Sequence, residues 1–318
     1  MQAYNSELFL TTSEAAELLG VHPSTVKRWT DADELESEKT EGGHRRLYLR
    51  SVLGFAGDRG IATYLAPFEP FESHVWLAVR DAVRHDDFER MVSLSLGWLL
   101  RGYPKRITAL LQELGGREDL SFARVCDGLI RPFMKEVGTA WREGRLRIGE
   151  EHMASQAIVE ALIRLTTEPL ARSGPSENGA EPPPLALVGA MEGDEHHLGA
   201  LCVRILLERE GWNVHYLGPN TPAEEFATFQ RRHGASLVCI SFSPPARGAK
   251  MRRCLDILSA FYRADEPYDL VFGGGAAGAV HEDAEEVPFR TFRIFDGAES
   301  FAHWIRHRSL EPSTRTPQ

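Results

Sequence analysis

The chain is 318 residues long, 42% apolar and 26% charged, with 28 glycines and 18 prolines, which is too much chain for one core and too much apolar material for global disorder. Its 36 basic side chains against 46 acidic ones give a formal net charge of −10, so affinity for nucleic acid has to come from a local basic patch and not from the overall field. The four cysteines, Cys126, Cys202, Cys239 and Cys254, have no CxxC spacing, which disfavours a zinc or dithiol motif and fits a reducing cytoplasm. No apolar run reaches the roughly 18 residues a membrane helix needs. The opening residues carry Glu7, Glu14 and Glu17 where an export signal is basic and then greasy, so neither membrane insertion nor export is expected.

The first structural signal lies at residues 11–14. Thr11 and Glu14 have the capping-box spacing, in which the hydroxyl serves the third-residue N–H and the carboxylate reaches back to the cap. Ala15, Leu18 and Leu19 give the helix that starts there an apolar face, Gly20 permits a sharp turn, and Pro23 stands where a second helix opens. Lys27 and Arg28 project from that second helix beside Trp29, with no acid from Leu18 through Thr30. Gly42, Gly43, His44, Arg45, Arg46, Tyr48 and Arg50 follow, again without an acid between them, and read as a hairpin whose arginines each offer a planar fork to a phosphate. The order TTSEAAELLGVHPSTVKRW and then TEGGHRR resembles the amino-terminal winged helix-turn-helix of MerR-type transcription regulators. That resemblance implies DNA contacts from Ser24, Thr25, Lys27 and Arg28, and from Gly43, His44, Arg45, Arg46 and Tyr48 of the wing. Residues 1–60 hold seven Lys and Arg against ten Asp and Glu, so a single module binds nonspecific DNA weakly. Occupancy then calls for a homo-oligomer, a dimer or tetramer, on repeated or palindromic half-sites of a double-stranded operator. Asp33 stands where the family usually has glycine, which implies a turn built differently there.

Residues 72–172 show only helical periodicity, as in Val75, Val79, Ala82 and Val83 and then Phe88, Met91, Val92, Leu96, Leu99 and Leu100, and predict a helical bundle. SGPSENGAEPPP at 173–184 cannot hold a helix and reads as a linker. Beyond it short apolar runs alternate with helix-length segments: LALVG at 185–189, WNVHYLG at 212–218, SLVCISF at 236–242, DLVFGG at 269–274 and TFRIF at 291–295. This pattern predicts a Rossmann-like α/β domain of about five parallel strands covered on both faces. The expected organisation is a winged helix-turn-helix domain at 1–71, a helical bundle at 72–172, the linker at 173–184, the α/β domain at 185–307 and a disordered tail at 308–318.

Just after the first strand of the α/β domain stands Asp194-Glu195-His196-His197-Leu198-Gly199, which satisfies D-x-H-x-x-G. On a loop opening a helix, the His196 imidazole can point out of the sheet edge while Asp194 takes a hydrogen bond from its other ring nitrogen, fixing the tautomer. Gly199 then keeps the helix clear of a flat macrocycle. His197 lacks the correct spacing to Asp194 and Gly199 and is assigned to the helix start. Ser241-Phe242-Ser243 closes the third strand and Gly273-Gly274-Gly275 the fourth. Gly273, Gly275 and Gly278 also satisfy the dinucleotide fingerprint, but after a fourth strand too little chain remains for a ribose-binding half. Together these stretches resemble the cobalamin-binding Rossmann-like domain. The resemblance implies that His196 takes the lower cobalt position in a base-off, His-on arrangement, supported by Asp194 and Gly199. It places Ser241 and Ser243 by the buried base and Gly273, Gly274 and Gly275 along the nucleotide tail.

In the bundle, Trp141 is followed, after nine intervening residues, by Glu151-His152. On the residues alone these read as a core indole and a solvated pair; the spacing W-x9-EH resembles the cap of CarH-like photoreceptor regulators. There the indole covers the upper corrin face and the Glu and His line a 5′-deoxyadenosyl pocket, which implies those roles for Trp141, Glu151 and His152. The resemblance runs from about residue 8 to residue 306. It implies a four-helix-bundle cap and an adenosylcobalamin-dependent, light-responsive repressor, not an enzyme, whose oligomerisation and DNA binding follow cobalamin state. One departure matters: family members commonly carry a histidine after the cap tryptophan, and this chain has Arg142. A guanidinium stays protonated and offers no lone pair, so water is the expected upper ligand after photolysis, ahead of His152 or His85. The rival readings are a cobalamin-binding regulator blind to light, a corrinoid enzyme or methyl-carrier subunit, and a MerR-type metal sensor. The winged helix disfavours the enzyme, and the scattered cysteines disfavour the sensor.

Overall fold

The computed structural model describes residues 8–166, 182–243, 248–275 and 287–308. The linker anticipated at 173–184 and the tail at 308–318 lie outside them, except for residues 182–184 and Arg308. The chain divides into two compact units, Met1–Leu94 and Ser95–Gln318. Among the described residues no helix is long and apolar enough to cross a membrane.

In the first unit β1 (Phe9–Leu10) leads into α1 (Thr12–Leu19), α2 (Pro23–Asp31), β2 (Glu38–Lys39), β3 (Arg45–Tyr48), α3 (Leu49–Asp58) and, after a short 3-10 turn, α4 (Glu72–His85). The capping box is present: Glu14 N donates to Thr11 Oγ1 at 3.2 Å and Thr11 N to Glu14 Oε2 at 2.7 Å. Burial pushes the Glu14 carboxyl up, but these bonds and the Arg84 guanidinium, 2.8 Å away, outweigh it and hold the group below its ordinary value. Pro23 opens α2, and the His22 ring caps it by accepting Ser24 N. β3 pairs antiparallel with both β1 and β2, which makes the anticipated wing. Periodicity did not announce β1 or α3. The first is two residues long, and Gly54 and Gly57 interrupt the spacing of Leu49, Val52, Phe55 and Ala56, which α3 buries.

Asp33 has φ +53°. The turn there is left-handed, a conformation costly to most residues and tolerated by Asp through its short polar side chain. Asp33→Gly should therefore stabilise the first unit by up to about 1 kcal/mol, read as a higher melting temperature; an unchanged or lower one would show that Asp33 makes up the difference elsewhere.

The boundary between units falls within α5 (Glu89–Leu99), after which come α6 (Pro104–Gly116), α7 (Phe122–Val125), a π-helical stretch (Cys126–Ile130), α8 (Arg131–Arg142) and α9 (Ile148–Thr166). Helix runs unbroken from Phe122 to Arg142 through Pro132. Proline has no N–H for the carbonyl four residues back and crowds it, so the preceding turn widens to π. From that stretch the Asp127 carboxylate reaches the α/β part. It accepts Ala298 N and Glu299 N, both at 2.9 Å, and so caps a helix whose N-terminal N–H groups favour an anion. Arg131 Nη1 donates to Asp296 O at 2.5 Å, and Arg209 Nη2 to Gly115 O at 2.6 Å.

The α/β part runs β4 (Leu185–Met191), α10 (Leu198–Arg209), β5 (Asn213–Thr221), α11 (Ala223–His233), β6 (Leu237–Ser241), α12 (Gly248–Phe261), β7 (Asp269–Gly273), β8 (Thr291–Phe295) and α13 (Ala298–His307). All five strands fall where the apolar runs put them, and all pair in parallel in the order β5-β4-β6-β7-β8. One side of the sheet packs Leu187, Val238, Ile240, Leu270 and Phe272 against Phe226, Met251 and Leu258 of the helices. With the first strand flanked by the second on one side and the third on the other, the chain winds in opposite senses from β4. The crevice at the carboxyl ends of β4 and β6 is then the topological switch point, where sheets of this kind hold ligands.

Candidate functional site

The loop between β4 and α10 carries the D-x-H-x-x-G motif to that crevice. Asp194 is buried, and its carboxylate receives two main-chain amides: His196 N at 2.9 Å on Oδ1 and Ser243 N at 2.6 Å on Oδ2. Ser243 Oγ donates to His196 O at 3.2 Å. The residues after β4 and those after β6 are thus stitched together around one carboxylate. The anticipated bond from the His196 ring to Asp194 is not formed; Nδ1 lies 3.7 Å from Oδ1, outside hydrogen-bond range. A short Asp side chain two residues before an amide is taken up by that amide first. The His196 ring itself is 62% exposed, while His197 sits at the N-cap of α10 with Nδ1 3.3 Å from Glu195 O, the helix-start position expected of it.

Gly199 has a packing role that its place in the motif does not disclose. A Cβ there would lie 2.8 Å from Ser241 Oγ, so the missing side chain lets α10 approach the buried end of β6. Gly199→Ala should destabilise the second unit by about 1–3 kcal/mol through overpacking, despite alanine's better helix propensity. The double variant Gly199→Ala, Ser241→Ala should recover most of that loss in thermal unfolding; additive losses would rule out this close approach as the cause. Ser241 is buried beneath α10, and Ser243 is occupied in the loop bond just described. In the glycine run, Gly274 has φ +102° and a Cβ on it would meet Phe242 O at 2.4 Å. Backbone approach between the ends of β6 and β7 therefore requires Gly274, whereas Gly273 keeps ordinary spacing, 3.4 Å from Phe295 O to a Cβ. Gly275 follows on the exposed side.

One residue at this edge was not singled out from the sequence. Asn220, at the end of β5, accepts Gly193 N on Oδ1 at 2.7 Å and donates from Nδ2 to Glu195 Oε1 at 3.2 Å. Its main-chain N–H reaches Asp194 O at 3.0 Å, and its φ is +53°. The available signal was an Asn after Pro219 where a strand must end, a residue type that bonds locally and tolerates this conformation.

The cap residues occupy the corner between α8 and α9. Trp141 is 50% exposed and Ile148, opening α9, is 62% exposed, a large apolar surface for a helix corner. On the first turns of α9, Glu151 accepts Ser155 Oγ at 2.9 Å and its other oxygen lies 3.5 Å from His152 Nε2. Arg142 folds back on its own helix, donating from Nε to Gly138 O at 3.3 Å and from Nη2 to Thr139 Oγ1 at 3.2 Å. α9 also packs along α10, the helix that begins two residues after His196.

On the first unit, Ser24, Lys27 and Arg28 of α2 and Gly43, His44 and Arg46 of the wing are exposed, and Thr25 is half-buried. Arg45 and Tyr48 are engaged within the unit itself. Arg45 is bonded to Asp31 and is only 16% exposed, and the Tyr48 hydroxyl is bonded to Glu38. Arg45 joins the wing to the end of α2, and Tyr48 ties β3 to β2 within the wing. The alternation of β3 that exposes Arg46 turns Arg45 back toward α2.

Comparison with known proteins agrees with this division. A helix-turn-helix domain model matches residues 9–56, and two B12 binding domain models match 97–166 and 184–301. The HTH-type transcriptional repressor CarA of Myxococcus xanthus is 32% identical over 47% of this chain and 46% of its own length. The chain thus spans about half of that relative. The HTH-type transcriptional repressor CarH of the same organism is 27% identical over 66% of this chain and 71% of its own. A corrinoid protein of Desulfitobacterium hafniense is 29% identical over 56% and 80%. Among solved structures, the monomethylamine corrinoid protein of Methanosarcina barkeri covers 71% of this chain and 94% of its own at 20% identity and a TM-score of 0.46. With a helix-turn-helix domain model followed by two B12 binding domain models, and sequence likeness to both CarA and CarH, the chain has the multidomain organisation of a helix-turn-helix module joined to cobalamin-binding domains, and it is similar to these regulators.

Proposed function

We propose that this chain is a cytoplasmic transcriptional repressor, without a reaction of its own, whose hold on a double-stranded operator is set by bound adenosylcobalamin. The observation that carries the reading is the exposed His196 imidazole on a loop pinned at the switch point, in a chain that begins with a helix-turn-helix domain. These residues fit a corrinoid. A neutral imidazole is a nitrogen donor suited to cobalt, and Nδ1 faces Asp194, which leaves Nε2 to ligate. The exposed faces of Trp141 and Ile148 are the apolar cover such a ring needs on its other side. Asp194, His196, Gly199, Ser241, Ser243 and Gly273 to Gly275 would hold it from the sheet, and Trp141, Glu151 and His152 from the cap.

When bound, adenosylcobalamin supplies a cobalt–carbon bond that green light can break. The protein's part would be to hold the cofactor through His196, to shield it from water with Trp141, and to couple the packing of the cap to assembly. Several winged helices presented together then engage repeated half-sites, and the gain from simultaneous binding offsets the weakness of one module. The test is operator binding and gel filtration of protein loaded with adenosylcobalamin, before and after green light. A larger assembly in the dark that disassembles and releases DNA on illumination supports the proposal. Size and affinity that ignore both cofactor and light would overturn it.

A second reading, a cobalamin-dependent repressor that does not sense light, is favoured by one observation. Arg142 is folded onto Gly138 O and Thr139 Oγ1 and has no lone pair for cobalt. It is distinguished by operator binding that responds to the cofactor and not to illumination.

A further inference from the structure

Asn220, at the end of β5, holds an unfavourable backbone conformation, φ +53°, where it meets the motif loop. A residue that only turned the chain would be as well served by glycine, which has no Cβ penalty there. What glycine would lack is the side chain, and both ends of that side chain are engaged. Oδ1 takes Gly193 N at 2.7 Å and Nδ2 reaches Glu195 Oε1 at 3.2 Å, so the two bonds bracket Asp194 in sequence. The main-chain N–H of Asn220 adds a third bond, to Asp194 O at 3.0 Å. Asp194 in turn fixes His196 N and Ser243 N. The Asp194 carboxylate does not hold the His196 ring, so the direction of the imidazole depends on the backbone of residues 193–196. Among the described residues, that backbone is tied to β4 and β6 through Asp194 and Ser243, and to β5 by Asn220.

We propose that Asn220 is a positioning residue for cobalt: it sets the backbone of the motif loop and thereby aims the His196 imidazole, acting at one remove from the metal. This rests on the reading of His196 as the lower ligand. It adds a residue outside the D-x-H-x-x-G, Ser-x-Ser and glycine-run motifs. Groups that support a metal ligand in this way typically change metal affinity by about 10-fold to 100-fold when removed.

The experiment uses the full chain with hydroxocobalamin as probe and three variants, Asn220→Gly, Asn220→Asp and His196→Ala. Equilibrium dialysis gives the affinity, the absorbance spectrum gives the fraction of cobalt carrying a protein nitrogen, and amide hydrogen exchange of cofactor-free protein reports on residues 193–196. Asn220→Gly keeps the backbone conformation and removes the side-chain bonds. It should bind hydroxocobalamin about 10-fold or more weakly, lower the histidine-ligated fraction, and speed exchange at Gly193 and His196, with the melting temperature unchanged. Asn220→Asp keeps an acceptor for Gly193 N but sets a second carboxylate against Glu195, and should fall between the two. Wild-type affinity, spectrum and exchange in Asn220→Gly would overturn the positioning role while leaving His196 as ligand. Failure of the wild type to take up hydroxocobalamin, or equal uptake by His196→Ala, would instead overturn the reading beneath it.

Discussion

Replacing His196 by alanine should strip the protein of tightly held cobalamin while leaving its fold intact. The ring is 62% exposed, and the bonds that shape its loop run through main-chain atoms of residue 196, its N–H to Asp194 and its carbonyl to Ser243. Alanine keeps both. The loss should exceed the roughly 100-fold that removal of a supporting partner can cost at a metal site, because here the donor itself is gone. Dialysis against adenosylcobalamin or hydroxocobalamin measures it directly, and a melting curve run beside it should coincide with that of the wild type. An alanine variant that retains the pigment would mean that the exposed ring is an ordinary surface histidine.

The second large effect is the converse, a loss of stability without a loss of the site. Asp269 is buried at the start of β7, at the edge of the sheet opposite the motif loop. Its carboxylate is held by Arg290 through two bonds of 2.8 Å, by Thr291 Oγ1 at 2.6 Å and by Arg308. Both arginines also donate to Ser236 O, at 3.1 and 2.9 Å, and Arg308 lies 4.8 Å from the centre of the Trp212 ring. Asp269→Ala leaves two partly buried cations facing each other and should destabilise the second unit by about 3 kcal/mol, the lower end for a broken buried pair, since Arg290 reaches solvent. The same group gives a pH dependence. Burial pushes the carboxyl up, but the bonds from Arg290 and Thr291 and the charge of Arg308 outweigh it and hold it below its ordinary value. Its contribution is therefore complete above the unfolded value, about pH 4, and is lost as pH falls through the folded one. The gap between wild-type and Asp269→Ala denaturation midpoints should be constant near neutrality and close on acidification below that point. A gap independent of pH would assign the loss to packing.

These two residues also show what the chain discloses unaided. Strand positions were readable because parallel strands buried on both faces are near-continuous apolar runs. Val188, Val238, Ile240 and Leu270 had no other plausible place. The helix-turn-helix was readable because its boundaries are chemical signals at fixed offsets: Thr11 with Glu14, Gly20 in the left-handed cap, and Pro23 opening α2. His196 stood out by spacing. The partners of Asp194 did not, since a sequence shows which residues are near along the chain but not that Ser243 N, 49 positions away, competes for the same carboxylate. The packing role of Gly199 was hidden for a related reason: the close neighbour that excludes a side chain is Ser241, on another strand. The partners of Arg45 and Tyr48 were hidden too, since Asp31 and Glu38 reach them only once the wing has folded. Asp127 carries no local signature, and the one Asn220 has, its place after Pro219, says nothing of its partners; each acts across a gap that only the packed chain closes.

The claim on which the account depends is that a protein imidazole is bonded to cobalt. Electron paramagnetic resonance of the cobalt(II) vitamin bound to protein labelled with nitrogen-15 at histidine tests it most directly, because the axial nitrogen splits the cobalt lines. Doublet splitting that reverts to triplets in unlabelled protein, and that disappears in His196→Ala, is the predicted result. Triplets that persist in the labelled protein would show that the vitamin keeps its own base on the metal and would contradict the account.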